Sequence, residues 1–135
     1  MTPVIFDNLY NAKAAVLDRI EKVAGKRPEF IQGDVRDKSA LVAALKTHDI
    51  HSVIHFAGLK AVGESETIPL TYYDENVAGT ISLLKVMDKY GCKKTVFSSS
   101  ATVYGLPTYL PFDEAHPLQP INPVSYTHLT LPTKA

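Results

Sequence analysis

Apolar and polar positions alternate along this chain with two different periods. Val4-Ile5-Phe6 is a short apolar run closed by Asp7-Asn8, the pattern of a buried strand, whereas Lys13 to Ala24 sets Val16, Ile20 and Val23 on one side of a helix that Gly25 ends. The pair then recurs. Phe30-Ile31 leads to Gly33-Asp34, and Asp37 is placed to cap a helix whose apolar side is Leu41, Ala44 and Leu45. Ser52 to Phe56 forms a third strand, closed by Ala57-Gly58. After a loop around Gly63 and Pro69, a longer helix spans roughly Tyr72 to Lys89 with Val77, Ile81 and Leu84 facing one way. Thr95-Val96-Phe97 is a fourth strand, ending in Ser98-Ser99-Ser100, and from Leu106 onward Pro107, Pro111, Pro117, Pro120 and Pro123 predict a segment that is mostly loop. Strands alternating with helices at this spacing predict βαβ units, hence an α/β fold with a parallel sheet. In open parallel sheets the ligand cleft lies beyond the carboxyl ends of the strands. Those ends carry Asp7, Asp34, Ala57-Gly58 and Ser98 to Ser100.

Composition narrows the functional classes. The 135 residues are 45% hydrophobic and 21% charged, with 14 Lys plus Arg against 14 Asp plus Glu. That is the make-up of one globular domain at most. A formal net charge of zero supplies no basic stripe for a phosphate backbone, so no nucleic-acid partner is expected. The longest apolar run, Ala40 to Leu45, is far shorter than the roughly 20 residues a membrane-spanning helix needs, and no basic-then-apolar leader follows Met1. Neither membrane association nor secretion is expected. Cys92 is the only cysteine, which excludes an internal disulfide and a cysteine metal cluster and points to a reducing, cytoplasmic compartment.

The strand ends hold the candidate chemistry. Asp7 stands where a dinucleotide fold places a carboxylate to accept from an adenosine ribose, and Asp34, ending the neighbouring strand, can accept from an adenine amino group. Turn chemistry explains an Asp in either place equally well. Ala57-Gly58 leaves the backbone open to close approach by a ligand, although a glycine after a strand is also a common turn. Ser98-Ser99-Ser100-Ala101-Thr102 gathers four hydroxyls, able to orient a sugar hydroxyl or simply to satisfy the loop's own backbone. No Gly-x-Ser-x-Gly elbow is present, which removes support for a serine hydrolase. His48, His51, His55, His116 and His128 lack metal-ligand spacing; His51 and His55 fall in a strand, about 13 Å apart on one face. No metal is expected.

Taken in order, several stretches carry a specific resemblance. They are Val4-Ile5-Phe6-Asp7-Asn8-Leu9, Gly33-Asp34-Val35-Arg36, the run from Val53 through Phe56-Ala57-Gly58-Leu59-Lys60-Ala61-Val62-Gly63-Glu64-Ser65, Tyr72-Tyr73-Asp74 with Asn76, and Phe97-Ser98-Ser99-Ser100-Ala101-Thr102-Val103-Tyr104-Gly105. Together they resemble the UDP-glucose 4-epimerase family of extended short-chain dehydrogenase/reductases. The resemblance covers nearly all of residues 4–123. It implies a tightly held NAD that oxidises a UDP-sugar at C4 and returns the hydride to the opposite face, interconverting UDP-glucose and UDP-galactose, and it implies a homodimer. Carried over by position, it assigns Asp7, Asn8 and Asn11 to the adenosine ribose and its surroundings, and Asp34 and Val35 to the adenine. Phe56, Ala57, Gly58 and Lys60 are assigned to the phosphate and ribose side of the cofactor, with Asn76 nearby. Ser100 is assigned as a catalytic group on the reacting sugar hydroxyl, close to the nicotinamide, and Thr102 beside it.

The sequence departs from that family in three places. The family opens with a strand and a Gly-x-x-Gly-x-x-Gly turn, whereas Met1 stands only three residues before the strand matching the family's second. The family continues Asn-Pro into Tyr-x-x-x-Lys, whose tyrosine is the general base; here Asn122-Pro123 leads to Val124, and Tyr126 is followed four residues on by Thr130. Tyr90 to Lys94 has the right spacing but is interrupted by Gly91. The chain also ends at Ala135, short of the family's sugar-binding C-terminal domain.

The expectation is therefore a partial NAD-binding domain over residues 1–123 and an aberrant tail over 124–135. The fold expected is α/β, an incomplete Rossmann-type doubly wound parallel sheet lacking its first strand. In the order 3-2-1-4-5 that strand lies between the first and third strands present here, so the sheet is expected to split into two pairs. The isolated chain is expected to be marginally folded and catalytically inactive. Two alternatives stand beside this reading: a piece of another nucleotide-sugar epimerase or dehydratase, and a non-catalytic module that binds a nucleotide or a partner chain through exposed sheet edges.

Overall fold

The computed structural model describes residues 2–130. Strand β1 (Val4–Asp7) is followed by helix α1 (Val16–Ala24), β2 (Glu29–Gln32), α2 (Lys38–His48) and β3 (Ser52–His55). Two short helices, α3 (Val62–Thr67) and α4 (Pro69–Tyr73), run into a π-helical turn, Asp74–Ala78, and then α5 (Gly79–Lys89). Strand β4 (Lys94–Phe97), a 3-10 turn (Ala101–Tyr104) and helix α6 (Pro123–Leu129) complete the described chain.

Local chemistry sets several of these boundaries. Asp37 Oδ1 accepts from the backbone N–H groups of Ser39 (2.9 Å) and Ala40 (3.1 Å), satisfying two orphan donors at the start of α2. Gly25, at φ 72°, closes α1 by donating to the Glu21 carbonyl at 2.8 Å, a left-handed position that a residue with a Cβ adopts only under strain. Asn122 and Ser125 form a reciprocal capping box ahead of α6, with Pro123 in its first turn.

The strands are all paired in parallel, but in two separate sheets. Val4 to Asp7 pair with Glu29 to Gln32, and Ser52 to His55 pair with Lys94 to Phe97, with no strand shared among the described residues. This is the split expected of a doubly wound sheet without its central strand. The core lies on one side, where Leu41 of α2 meets Leu83, Val86 and Met87 of α5 and Cys92, with Phe6 and Val53 of the two sheets packed against them. The opposite face is open: Ile54 and Val96, register partners in β3 and β4, are 61% and 63% exposed.

Three expectations need correction. Helix α1 begins at Val16 rather than Lys13, and Val16 and Val23 face solvent while Leu17 is the buried residue. No described element packs on the side those valines share with Ile20. The third strand stops at His55, leaving Phe56 67% exposed in the loop. The long helix starts at Pro69 and is broken by the π turn, and its buried side includes Tyr72, Asn76, Thr80, Leu83 and Met87; of the expected Val77, Ile81 and Leu84, Leu84 packs against the core at its edge and Ile81 is exposed. Hydrophobicity missed that side because Asn76 and Thr80, polar in isolation, spend their polar atoms on buried hydrogen bonds. The segment after Leu106 is loop as far as Asn122, but Pro123–Leu129 is helical and buries Val124, Ser125, Thr127 and His128. Pro132 and Thr133, read as part of the tail, lie outside the described residues.

Candidate functional site

The loops after β1 and β2 meet. Gly33 donates its N–H to the Asp7 carbonyl at 3.1 Å, and the Asn8 amide donates to Asp34 Oδ2 at 3.0 Å. Asp7 Oδ1 accepts from Leu9 N–H at 2.7 Å, holding Leu9 at φ 60°. Positive φ in a branched residue is uncommon and concentrates at ligand sites. Asp34 is the most heavily bonded carboxylate of the site: Oδ1 accepts from Arg36 N (2.9 Å) and Nε (2.9 Å), and Oδ2 accepts from Arg36 Nη2 (2.8 Å) and the Asn8 amide. The Arg36 fork holds the Asp34 carboxyl well below the usual carboxylate range.

The ends of β3 and β4 form the second half of the site. Ser98 N–H extends the ladder to the His55 carbonyl at 3.1 Å, and Lys60 Nζ lies 3.5 Å from the Ser98 carbonyl. Gly58 has φ 155°, and a Cβ there would stand 3.0 Å from Asn76 Oδ1. That close approach requires glycine and leaves the cleft side of the backbone bare. Asn76, only 3% exposed, accepts from Leu59 N–H (2.7 Å) and donates to the Leu59 carbonyl (3.0 Å) and to Thr127 Oγ1 (3.0 Å). Its amide is spent shaping the loop from behind rather than offering a group to the cleft.

Ser100 caps the 3-10 turn, accepting from Thr102 N–H at 3.3 Å with the two hydroxyls 2.8 Å apart. The pair is preformed, whichever of its two readings applies. Behind it, buried His55 bonds Thr80 Oγ1 at 2.7 Å, and burial pushes its ring down to about 4, with His128 and Lys60 adding to the effect. His128 packs against Phe97 with ring centroids 5.5 Å apart, and neither of its ring nitrogens has a partner among the described residues. Val124, where the resemblance expects the tyrosine base, is fully buried and has no proton to exchange.

The expected site residues thus fall into two groups, Asp7, Asn8, Asp34 and Val35 on the β1-β2 pair, and Phe56, Ala57, Gly58, Lys60, Ser100 and Thr102 on the β3-β4 pair. Asn11 is exposed and is joined to neither group by any hydrogen bond the structure records. Sequence reasoning missed Arg36, which bonds Asp34 and also Asp74 (2.7 Å) and Glu75 (2.8 Å) of the π turn that carries Asn76. It also missed Thr127. The three residues of the link were readable, an arginine two positions after Asp34 and an adjacent acidic pair, but not the 38-residue closure between them. Among the described residues no cluster of three or more potential metal ligands occurs. The acceptor set has the chemistry an adenosine calls for: two carboxylates after neighbouring strands can take its hydroxyl and amino donors.

Comparison with known proteins points the same way. The family model described as GDP-mannose 4,6 dehydratase matches residues 3–131. A UDP-glucose 4-epimerase of Dictyostelium discoideum is 52% identical over 128 residues, covering 95% of this chain and 37% of that protein. Among solved structures, the UDP-glucose 4-epimerase of Stenotrophomonas maltophila with bound NAD and formylated UDP-arabinopyranose superimposes with a TM-score of 0.91 at 44% identity, and that of Bifidobacterium longum with NAD+ and UDP with 0.91 at 45%. Each covers 95% of this chain and 38% of the solved one. The chain therefore spans well under half the length of these relatives.

Proposed function

The chain belongs to the GDP-mannose 4,6 dehydratase family, and from that premise we propose that it is the dinucleotide-binding part of a UDP-glucose 4-epimerase. The observation that carries this reading is the joining of the loops after β1 and β2, where Gly33 N–H bonds the Asp7 carbonyl and Asn8 bonds Asp34, in a chain whose β3 is followed by Gly58 packed against Asn76. Asp7 accepts from the adenosine ribose of NAD and Asp34 from the adenine, while Phe56, Ala57, Gly58 and Lys60 line the phosphate and nicotinamide-ribose side. Ser100, held by Thr102, bonds the sugar hydroxyl that reacts. Bound there, NAD supplies the hydride acceptor that oxidises a UDP-sugar at C4 and then re-reduces it. Identity near 50% to epimerases favours that reaction over the 4,6-dehydration of the family's namesake.

The chain as written does not complete this chemistry. Taking a proton from the C4 hydroxyl needs a base within hydrogen-bond reach, and Val124 cannot act as one. The expected result is NAD binding, by calorimetry, without interconversion of UDP-glucose and UDP-galactose, in protein purified from a host lacking its own epimerase. Failure to bind NAD at millimolar concentration overturns the dinucleotide reading; turnover above blank overturns the inactive one. Pairing into a homodimer and a cytoplasmic location belong to the same proposal. Among the described residues no helix is long and apolar enough to cross a membrane.

A further inference from the structure

The two strand pairs share no strand and are joined by the core that Phe6 and Val53 both pack against, which leaves the orientation of Asp34, beyond β2, relative to Gly58 and Leu59, beyond β3, to polar contacts at the strand ends. Arg36 supplies one such link. Its guanidinium forks onto both oxygens of Asp34, and the same group reaches Asp74 Oδ2 at 2.7 Å and Glu75 Oε1 at 2.8 Å. Val35, beside it, sits so close to Gly79 that a Cβ on that glycine would lie 2.8 Å from Val35 Cγ2. Asp74, Glu75 and Asn76 belong to one π-helical turn, and Asn76 clasps both backbone polar groups of Leu59. A single turn thus grips the Asp34 side through Arg36 and the Gly58 side through Asn76. π turns inside helices occur often at functional sites.

Isolated surface ion pairs do little, but bidentate geometry within a network is the exception. A planar fork also dictates where the carboxylate plane lies, which a point charge does not. A carboxylate has about four lone-pair sites. Arg36 occupies three through its backbone N–H, Nε and Nη2, and the Asn8 amide occupies the fourth. Asn8 is the only neutral side-chain donor among them. A ligand amino group reaches Asp34 by taking its place.

Building on the dinucleotide reading above, we propose that Arg36 is the positioning residue for adenine recognition: it holds the Asp34 carboxylate where an exocyclic amino group displaces Asn8, and locks that acceptor to the Gly58 loop through the π turn. The test compares NAD with nicotinamide hypoxanthine dinucleotide, which carries a carbonyl in place of the adenine amino group, by calorimetry on the full chain. The unaltered protein is expected to prefer NAD by about tenfold, the range of one hydrogen bond to a charged acceptor. Arg36→Ala reduces that preference to within about twofold, and Arg36→Lys, which keeps the charge but not the fork, recovers part of it. A tenfold preference that survives Arg36→Ala overturns the inference and leaves the dinucleotide reading intact. If the unaltered protein binds neither dinucleotide, the functional reading fails and takes adenine recognition with it, and the Arg36–Asp34 positioning itself is then decided by carbon-13 NMR titration of the Asp34 carboxyl. Arg36→Ala should return that carboxyl toward the ordinary range and shift the amide signals of residues 74–78; an unchanged titration overturns the inference. If Arg36→Ala gives no dispersed spectrum, Arg36→Lys carries both readouts.

Discussion

Replacing Asn76 with alanine removes the clasp that holds the Gly58-Leu59 loop. The amide oxygen currently pairs with Leu59 N–H at 2.7 Å, and the amide nitrogen pairs with the Leu59 carbonyl and with Thr127 Oγ1, both at 3.0 Å. Thr127 keeps a partner after the change, because its hydroxyl also donates to the Val124 carbonyl at 2.8 Å. The two Leu59 groups do not. Each stranded backbone group costs about 1–3 kcal/mol when water cannot reach it, and Leu59 is only partly buried, so the expected loss is about 2–4 kcal/mol. With a urea slope of roughly 1–3 kcal/mol per molar, the unfolding midpoint should fall by at least about 0.7 M. Asn11→Ala, on the exposed loop, serves as the control and should stay within about 0.5 kcal/mol of the original. A midpoint for Asn76→Ala within about 0.3 M of the unaltered chain would refute the claim that this side chain organises the loop.

Two further outcomes follow from burial and close packing. The His55 ring, 5% exposed and pushed from 6.5 to about 4 by burial first and then by His128 and Lys60, is neutral in the folded protein. Its folded value lies below its unfolded one, so its contribution is complete above about pH 6.5 and is lost as pH falls toward 4, roughly 3 kcal/mol in all. Urea midpoints across that window should fall with acidification and should fall much less in His55→Asn; an equal slope in the two proteins counts against the buried neutral ring. Gly79→Ala gains up to about 1 kcal/mol of helix propensity but forces a Cβ to 2.8 Å from Val35 Cγ2, on a side chain stiff at χ1. Overpacking of that kind costs about 1–3 kcal/mol, so thermal unfolding should come at lower temperature, and a raised midpoint overturns the close contact.

Much of the architecture was legible because it follows from local pattern. The four strands, the cap at Asp37 and the stop at Gly25 depend on residues near one another in sequence, and each is where the pattern puts it, within a residue or so. The split into two sheets was also readable, since strand order follows from the doubly wound topology. The side of the long helix that faces the core was not. Asn76 and Thr80 score as polar until the Leu59 loop and His55 are present to receive their hydrogen bonds. The open side of α1 failed in the opposite sense: Val16 and Val23 have the right period, but period shows only that a helix has an apolar side, not that another element covers it.

The sequence by itself determined the α/β class and where its strands end, because side-chain period and turn chemistry are short-range, while Asp7, Asp34, Gly58 and Ser100 stood out from ordinary turn residues only through the family motifs they match. Tertiary structure alone decided how the two halves of the site are joined. Arg36 meets Asp74 across 38 residues, Asn76 meets Thr127 across 51, and the π turn brings both connections to one place. Contacts of that separation depend on how packed elements sit against one another, which no window of sequence contains.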